Sequence, residues 1–128
     1  AIRNLAEATP IKAQAAVAQL APYIVFFDFD SAVLTHAASA TIDTATAAAE
    51  KRHPSKILIT GHTDSAGASA YNIALSQRRV DSVLKAFVKN GISRSILSNS
   101  RHGEERPRVA RPDGTREDQN RRVEITFQ

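Results

Sequence analysis

The stretch that decides the fold runs from Lys56 to Asn90, and its middle part reads Gly61-His62-Thr63-Asp64-Ser65-Ala66-Gly67. Before it, Ile57, Leu58 and Ile59 form a short apolar run that favours a buried strand from Lys56 to Thr60. After it, Ser69 to Asn90 has the pattern of an amphipathic helix, closed by Gly91. The sequence therefore predicts a strand, a polar loop and a long helix in direct succession.

Similar patterns lie on both sides of this unit. Strands are predicted from Tyr23 to Phe27, Ile96 to Ser100 and Val123 to Phe127, and a helix from Thr35 to Arg52 that ends before Pro54. Gly103 to Arg116 is predicted to be a long loop because Pro107, Pro112 and Gly114 interrupt it. The order β-α-β-α-β-β predicts an α/β sandwich with two main helices packed on a small sheet.

The first 22 residues differ from the rest. They are rich in alanine, show only fragmentary helical periodicity and contain Pro10, so we expect a linker or a short N-terminal helix there. The domain itself is expected to span residues 23–128. The chain begins at Ala1 rather than Met, as expected of a processed protein or an excised piece, and no run approaches the roughly 18 apolar residues of a membrane span.

Composition excludes several classes of site. A chain of 128 residues with 42% hydrophobic residues suits one domain with its own core. It has no cysteine, which excludes disulfides, thiolate metal ligands and cysteine nucleophiles. The net charge is +4, and seven of the twelve arginines lie between Arg101 and Arg122. This basic segment fits a nucleic-acid surface, a solvated loop or a set of carboxylate-binding arginines.

The long helix gives its two adjacent arginines different environments. At about 100° per residue, Ile73, Val80, Leu84 and Phe87 share one apolar sector. Asn72 and Arg79, seven residues apart, lie at nearly the same angle around the helix just beyond this sector, whereas Arg78 points toward solvent. We therefore expect Arg79 at the border between core and surface, either as a ligand-binding residue or as a boundary arginine that extends its head group to water.

Two further positions are candidate site residues. Asp64 follows the carboxyl end of a strand, where open α/β sheets tend to bind ligands, although the spacing alone favours an Asx-turn or a helix-capping role. Arg121 shares strand parity with Val123, Ile125 and Phe127, so its side chain should enter the covered face of the sheet, and that of Arg122 should not. The structural alternative for Arg121 is an ion pair with Asp118 or Glu124.

Metal binding and catalysis find little support in the sequence. His62 and Asp64 are two potential ligands, and no His-Glu-x-x-His or comparable cluster completes a coordination shell. There is no Gly-x-Ser-x-Gly motif and no glycine-rich phosphate loop. We expect neither an enzyme nor a bound metal or cofactor.

Several blocks together carry a family resemblance. They are the Gly61–Gly67 segment, Tyr71-Asn72, Leu75-Ser76-Gln77-Arg78-Arg79 and Asn120-Arg121-Arg122-Val123-Glu124-Ile125. In this order and approximate spacing the chain, from about Tyr23 to Phe127, resembles the peptidoglycan-binding OmpA-like domain of OmpA proteins, Pal lipoproteins and MotB stator proteins. The resemblance implies a mixed sheet. One departure is Arg101-His102-Gly103-Glu104, where the family usually has Gly-x-Gly-Glu.

The resemblance also implies a ligand and its contacts. In such domains the residues that match Asp64 and Arg79 hold the zwitterionic end of meso-diaminopimelate in the peptidoglycan stem peptide. A carboxylate suits the ammonium, and a guanidinium fork suits the carboxylate in a geometry that lysine cannot supply. The family's additional contacts match Thr63, Asn72, Arg121 and Asp28.

The partner expected from this resemblance is peptidoglycan, at the periplasmic face of the Gram-negative envelope. Such a domain would anchor a parent protein associated with the outer membrane, and any contact with the membrane itself would come from a segment outside this chain. Two rival functions are a nucleic-acid-binding module that uses Arg101 to Arg122 and a cell-wall hydrolase.

Overall fold

The computed structural model describes residues 22–128, so nearly all of the expected N-terminal linker or helix of residues 1–22 lies outside the described residues. The described part begins with strand β1, which is followed by helix α1, strand β2, helix α2 and strands β3 and β4. Their bounds are Tyr23–Phe26 (β1), His36–Arg52 (α1), Ile57–Gly61 (β2), Ser69–Lys89 (α2), Leu97–Arg101 (β3) and Arg122–Phe127 (β4). Short 3₁₀ helices at Arg94–Ile96 and Asp118–Asn120 precede the last two strands.

The four strands form one mixed sheet in the order β1-β4-β2-β3. The C-terminal strand β4 lies between β1 and β2 and is antiparallel to both, with Val25 opposite Val123 and Ile59 opposite Ile125. Strands β2 and β3 are parallel, with α2 in the crossover between them. The predicted α/β sandwich with two helices on a small mixed sheet is therefore confirmed.

The core lies between the two helices and one face of the sheet. Side chains that alternate along β1, β2 and β4 point into it, as the period of two along a strand requires. Its members larger than alanine are Val25, Phe27, Ile42, Ile57, Ile59, Val80, Val83, Leu84, Phe87, Ile92, Val123, Ile125 and Phe127. The intervening residues, such as Leu58, Thr60 and Thr126, lie on the other face and are only partly buried.

The start of α1 and the end of α2 lie where the sequence predicts. The Thr35 hydroxyl caps α1 by accepting a hydrogen bond from the Ala38 N–H at 3.1 Å. At the other end of α2, Gly91 has a φ of 97°, a conformation that glycine adopts without steric cost. None of the helices in residues 22–128 has the length and apolar character that a bilayer span needs.

A close approach between β2 and α2 fixes the position of the loop that follows. A Cβ atom at Gly61 would lie 2.4 Å from the Ser76 carbonyl oxygen and 2.7 Å from a Val80 methyl group. Only glycine permits this spacing, because real Cβ contacts do not occur below about 3.0 Å. The loop after Gly61 is therefore held directly against the first turns of α2.

Candidate functional site

A cavity of about 180 Å³ lies between the loop that leaves β2, the first turns of α2 and the segment after β1. Four of the six predicted site residues line it: Asp64, Asn72, Arg79 and Arg121. The remaining lining residues are Phe29, Asp30, Ala66, Gly67, Tyr71 and Leu75. The cavity thus combines two carboxylates, two guanidinium groups and an apolar wall.

Asp64 is buried, with 3% of its surface exposed, and its carboxylate is well supplied with donors. Oδ1 accepts a hydrogen bond from the Ala66 N–H at 3.3 Å, which is the Asx-turn contact expected as the structural alternative. Oδ2 accepts from the Glu117 N–H at 3.1 Å and from Arg121 Nη1 at 3.0 Å. A carboxylate offers about four acceptor positions, so these three bonds leave room for one more donor.

Arg121 ties the start of β4 to this carboxylate. Its Nε donates to the Phe27 carbonyl at 3.1 Å, and Nη2 forms an ion pair with Asp118 at 2.6 Å. The side chain is buried on the covered side, as its strand parity predicts. Arg121 therefore forms the expected structural ion pair with Asp118 and also faces the cavity.

Arg79 is the largest fully buried side chain among the described residues, with 0% exposure. Its three nitrogens donate to backbone carbonyls, Nε to Ser31 at 2.8 Å, Nη1 to His62 at 3.1 Å and Nη2 to Asp28 at 3.0 Å. The expected position at the border between core and surface is therefore wrong. The loops that follow β1 and β2 fold over the helix and cover a position that helical geometry alone leaves at the margin.

The charge of Arg79 is not matched by a close carboxylate. No Asp or Glu oxygen lies within 4.0 Å of its guanidinium among residues 22–128. Burial, followed by the charge of Arg121, lowers the pKa of Arg79 from 12.5 to about 10, and the more distant Asp64 opposes the shift. The group remains protonated at neutral pH, and each terminal nitrogen keeps one N–H without an acceptor in the described part of the chain.

Asn72 and Thr63 organise the loop after β2. Asn72 Nδ2 donates to the carbonyl oxygens of Asp64 at 3.4 Å and Ala66 at 3.1 Å, and to Glu104 Oε1 at 3.1 Å. The Thr63 hydroxyl donates to the Asp64 carbonyl at 2.8 Å, and its side chain lines a separate polar cavity on the far side of the loop. Asn72 thus reaches the main cavity, whereas Thr63 does not line it.

Asp28 also lies outside the cavity lining. Its side chain is exposed, and its contribution to the site is the backbone carbonyl that accepts from Arg79. The alternation of side chains continues beyond the end of β1, so that Phe27 points into the core and Asp28 points outward.

The mouth of the cavity contains residues to which sequence reasoning gave no ligand role. Phe29 and Tyr71 are large side chains with 40% and 46% exposure, and the Tyr71 hydroxyl donates a hydrogen bond to Asp30. This bond raises the pKa of Tyr71. Arg78 is exposed, as predicted, and lies 5.3 Å from the centre of the Tyr71 ring. The only sequence signal for these two residues at the cavity mouth is that Phe29 follows Asp28 and Tyr71 precedes Asn72.

Arg122 was expected to stay out of the covered interior, and its parity does place it on the other face of the sheet. It is nevertheless buried, with 4% exposure, because the loop after β3 covers that face at this end. Its Nε pairs with Glu124 at 2.6 Å, and Nη2 donates to the Arg106 carbonyl. The predicted face of Arg122 is therefore correct, but its burial was not predicted, because the covering loop, unlike the strand, has no periodicity.

His62 lies in the same covered region, beside Arg122. It is 3% exposed, its ring stacks on that of His102 with 5.3 Å between centroids, and neither ring nitrogen has a hydrogen-bond partner among the described residues. Burial, followed by the charge of Arg122, lowers the pKa of His62 to about 4. No group of three or more acidic or histidine side chains within residues 22–128 has the arrangement of a metal site.

The fold and this charged cavity define a two-layer α/β domain with a built pocket at the carboxyl end of β2, and known proteins share the architecture. The crystal structure of a peptidoglycan-associated lipoprotein from Burkholderia pseudomallei superposes with a TM-score of 0.75 at 31% identity, over 83% of this chain and 90% of that one. The chain belongs to the OmpA family, whose sequence model matches residues 26–121.

Sequence relatives of this chain include further peptidoglycan-associated and outer membrane proteins. A peptidoglycan-associated lipoprotein of Legionella pneumophila is 36% identical over 108 residues, which cover 82% of this chain and 60% of that protein. An outer membrane protein of Gluconacetobacter diazotrophicus is 36% identical over 109 residues, 80% of this chain and 29% of that protein. The chain thus spans only part of the length of these relatives. The family resemblance of the sequence blocks is confirmed.

Proposed function

We propose that this domain binds peptidoglycan without catalysis, through the diaminopimelate of the stem peptide, and so anchors its parent protein to the cell wall. The observation that carries the proposal is the buried Arg79 guanidinium, which lacks a carboxylate partner in the described chain and lines the same cavity as the buried Asp64. A buried charge is costly unless it is paired. A ligand carboxylate would supply the missing partner.

The balance of charges in the cavity fits a zwitterion better than a simple anion. The lining carries Arg79 and Arg121 on one side of the balance and Asp64 and Asp30 on the other. Diaminopimelate presents an ammonium and a carboxylate on one carbon. The ammonium would take the remaining acceptor position of Asp64, and the carboxylate would take the two terminal N–H groups of Arg79.

The lining also supports binding rather than bond cleavage. It contains no serine, threonine or cysteine, and the Asp64 carboxylate is already engaged by the Arg121 guanidinium and the Glu117 N–H. A hydrolase would need a nucleophile or an activated water beside a free base.

The names of the relatives extend the proposal to the parent protein. Those relatives are called peptidoglycan-associated lipoproteins and outer membrane proteins, which agrees with the localisation expected from the sequence, the periplasmic face of the envelope near the outer membrane. In this proposal the domain is the part of the parent protein that holds the wall.

Calorimetric titration with purified muropeptides tests the proposal. Stem peptides with free diaminopimelate should bind more tightly than peptides with lysine or with amidated diaminopimelate. Without the carboxylate, the buried Arg79 stays unpaired, which costs about 1–3 kcal/mol or more for a charged group. Equal affinities for these peptides would contradict the proposed recognition.

Matched variants locate the binding. Asp64→Asn and Arg79→Lys preserve side-chain size or charge but remove the ammonium acceptor or the planar fork, and each should weaken binding by roughly 2–5 kcal/mol. Arg78→Lys makes the same chemical change at the adjacent, exposed position and should bind like the unmodified protein. Thermal unfolding of each variant checks that the loss is not a loss of fold.

A further inference from the structure

Arg116, in the loop before β4, lies directly over an exposed aromatic ring. Its guanidinium carbon is 3.6 Å from the centre of the Phe29 ring, and the side chain is exposed. Within residues 22–128 it forms no ion pair and no side-chain hydrogen bond. Other arginines of the same loop are engaged, Arg111 with Glu117 at 2.8 Å and Arg108 with Gln119.

The ring beneath Arg116 is part of the cavity wall. Phe29 lines the cavity together with Asp64 and Arg79, and the guanidinium of Arg121 lies 6.0 Å from the same ring. Phe29 thus connects the buried charges inside the cavity to an exposed charge at its mouth. A ligand that fills the cavity must pass this rim.

Stacking prepares Arg116 for one kind of partner. A guanidinium held face-on by an aromatic ring keeps its N–H donors in the plane parallel to the ring, directed away from it. Such an edge binds a planar carboxylate through two parallel hydrogen bonds. Because the ring already restricts the side chain, less conformational entropy is lost when the anion binds.

We propose, on the basis of the function proposed above, that Arg116 and Phe29 form a second carboxylate-binding subsite at the cavity mouth. Its ligand is a further free carboxylate of the same stem peptide, besides the one on diaminopimelate. Two stem-peptide groups have this chemistry, the carboxylate of the isoglutamate that precedes diaminopimelate and the C-terminal carboxylate of the peptide. The subsite makes the affinity depend on the charge state of the peptide beyond its diaminopimelate.

The opposite side of the rim offers a natural control. Arg78 also lies over an exposed aromatic ring, that of Tyr71, but the Tyr71 hydroxyl bonds to the Asp30 carboxylate. A negative charge beside that ring disfavours an incoming carboxylate. Arg78 and Arg116 therefore match in residue type and exposure, but Arg78 lies 5.3 Å from its ring, against 3.6 Å for Arg116, and its ring is hydrogen-bonded to a carboxylate.

The test is a calorimetric cycle with the full chain, Arg116→Gln and Arg78→Gln. Three synthetic stem tetrapeptides with intact diaminopimelate serve as ligands: one with all carboxylates free, one amidated at isoglutamate and one amidated at its C-terminus. In the unmodified protein and in Arg78→Gln, one of the two amidations should weaken binding about tenfold, as expected for loss of a charge-assisted pair. Arg116→Gln should bind the fully acidic peptide about tenfold more weakly and be insensitive to that same amidation.

The outcome separates this inference from the proposed function. If Arg116→Gln responds to both amidations as the unmodified protein does, or if neither amidation matters, the second subsite does not exist, although diaminopimelate recognition stands. If the unmodified protein binds none of the three peptides, the proposed function fails and the subsite fails with it.

Discussion

Arg79 joins its own helix to two separate segments of the chain through three backbone carbonyl groups. The carbonyls of Asp28 and Ser31 belong to the segment after β1, and that of His62 belongs to the segment after β2. The same guanidinium lines the cavity, so a change there acts on structure and on ligand together. For this reason truncation to alanine should unfold part of the site, and Arg79→Lys is the more informative substitution.

Asp64 shows that two explanations for one residue need not compete. It makes the Asx-turn contact with Ala66 and also the buried ion pair with Arg121. Sequence spacing indicates the first role, because that contact is local. The second depends on a residue far along the chain, and the sequence analysis did not predict that pairing.

His62 should make the domain sensitive to mild acid. Above pH 6.5, the ordinary pKa of histidine, His62 is neutral in both the folded and the unfolded chain. Below pH 6.5 the unfolded chain binds a proton at His62, whereas the folded chain binds it only at about pH 4. Stability present at pH 7 is therefore lost between pH 6.5 and 4, by about 2–3 kcal/mol. Chemical denaturation at pH 7 and pH 4.5 measures the difference.

Two substitutions identify the residue responsible. His62→Phe keeps a buried ring without titratable nitrogens and should flatten this part of the pH profile. His36→Gln changes an exposed histidine at the start of α1 and should leave the profile unchanged. An unaltered slope in His62→Phe would assign the acid sensitivity to another group, such as His102, whose pKa is also lowered by burial.

At the scale of whole elements, the contact between β2 and α2 determines where the cavity forms. The strand ends at Gly61, and His62 and Asp64 follow within three residues. The helix supplies Asn72 and Arg79 from its first three turns. Any change in the spacing of these two elements therefore moves both sides of the cavity.

Gly61→Ala tests this dependence. The added Cβ would meet the Ser76 carbonyl, a backbone atom that moves only with the helix, and we expect a loss of about 1–3 kcal/mol in the free energy of unfolding. Urea denaturation measures it, and muropeptide titration should show weaker binding in the remaining folded protein. Thr60→Ala, on the opposite face of the same strand, is the control, and an equal loss there would contradict the steric argument.

The elements were largely predictable, and their coverings were not. Strands and helices have a periodic pattern of apolar residues, so the observed bounds of α2, β2 and β4 agree with the predicted ones to within about one residue. The third strand begins at Leu97 rather than Ile96 because a 3₁₀ turn from Arg94 to Ile96 precedes it. Loop paths follow no period, which explains why the depth of Arg79 and of Arg122 escaped prediction.

Over the whole molecule, the basic segment is more engaged than its composition implies. Of its seven arginines, Arg111, Arg121 and Arg122 are in ion pairs. The segment has no aromatic residue of its own, but the fold brings Phe26 and Phe29 beneath Arg108 and Arg116. The surface is thus less positive than a count of arginines implies.

This arrangement predicts weak, salt-sensitive contact with nucleic acid. Fluorescence anisotropy with a labelled single-stranded oligonucleotide should show any affinity collapsing between about 50 and 200 mM salt, as expected for phosphate contacts alone. Asp64→Asn should leave that affinity unchanged, in contrast to its effect on muropeptides. Saturable micromolar binding that persists at the higher salt concentration would revive the nucleic-acid function.

The central place of β4 in the sheet has a consequence for how the domain is made. Of the four strands in residues 22–128, β4 is synthesised last and pairs with both β1 and β2, so neither can complete its hydrogen bonds until Arg122–Phe127 has left the ribosome. Before β4 can pair, the long segment between β3 and β4 must be ordered. This slows the docking of β4, because the conformational entropy of that segment is lost before the strand pairing compensates for it. A nascent chain that stops short of Arg122 lacks the strand that joins β1 to β2. The cavity also needs Arg121, next to the start of that strand, and is therefore the last feature to form.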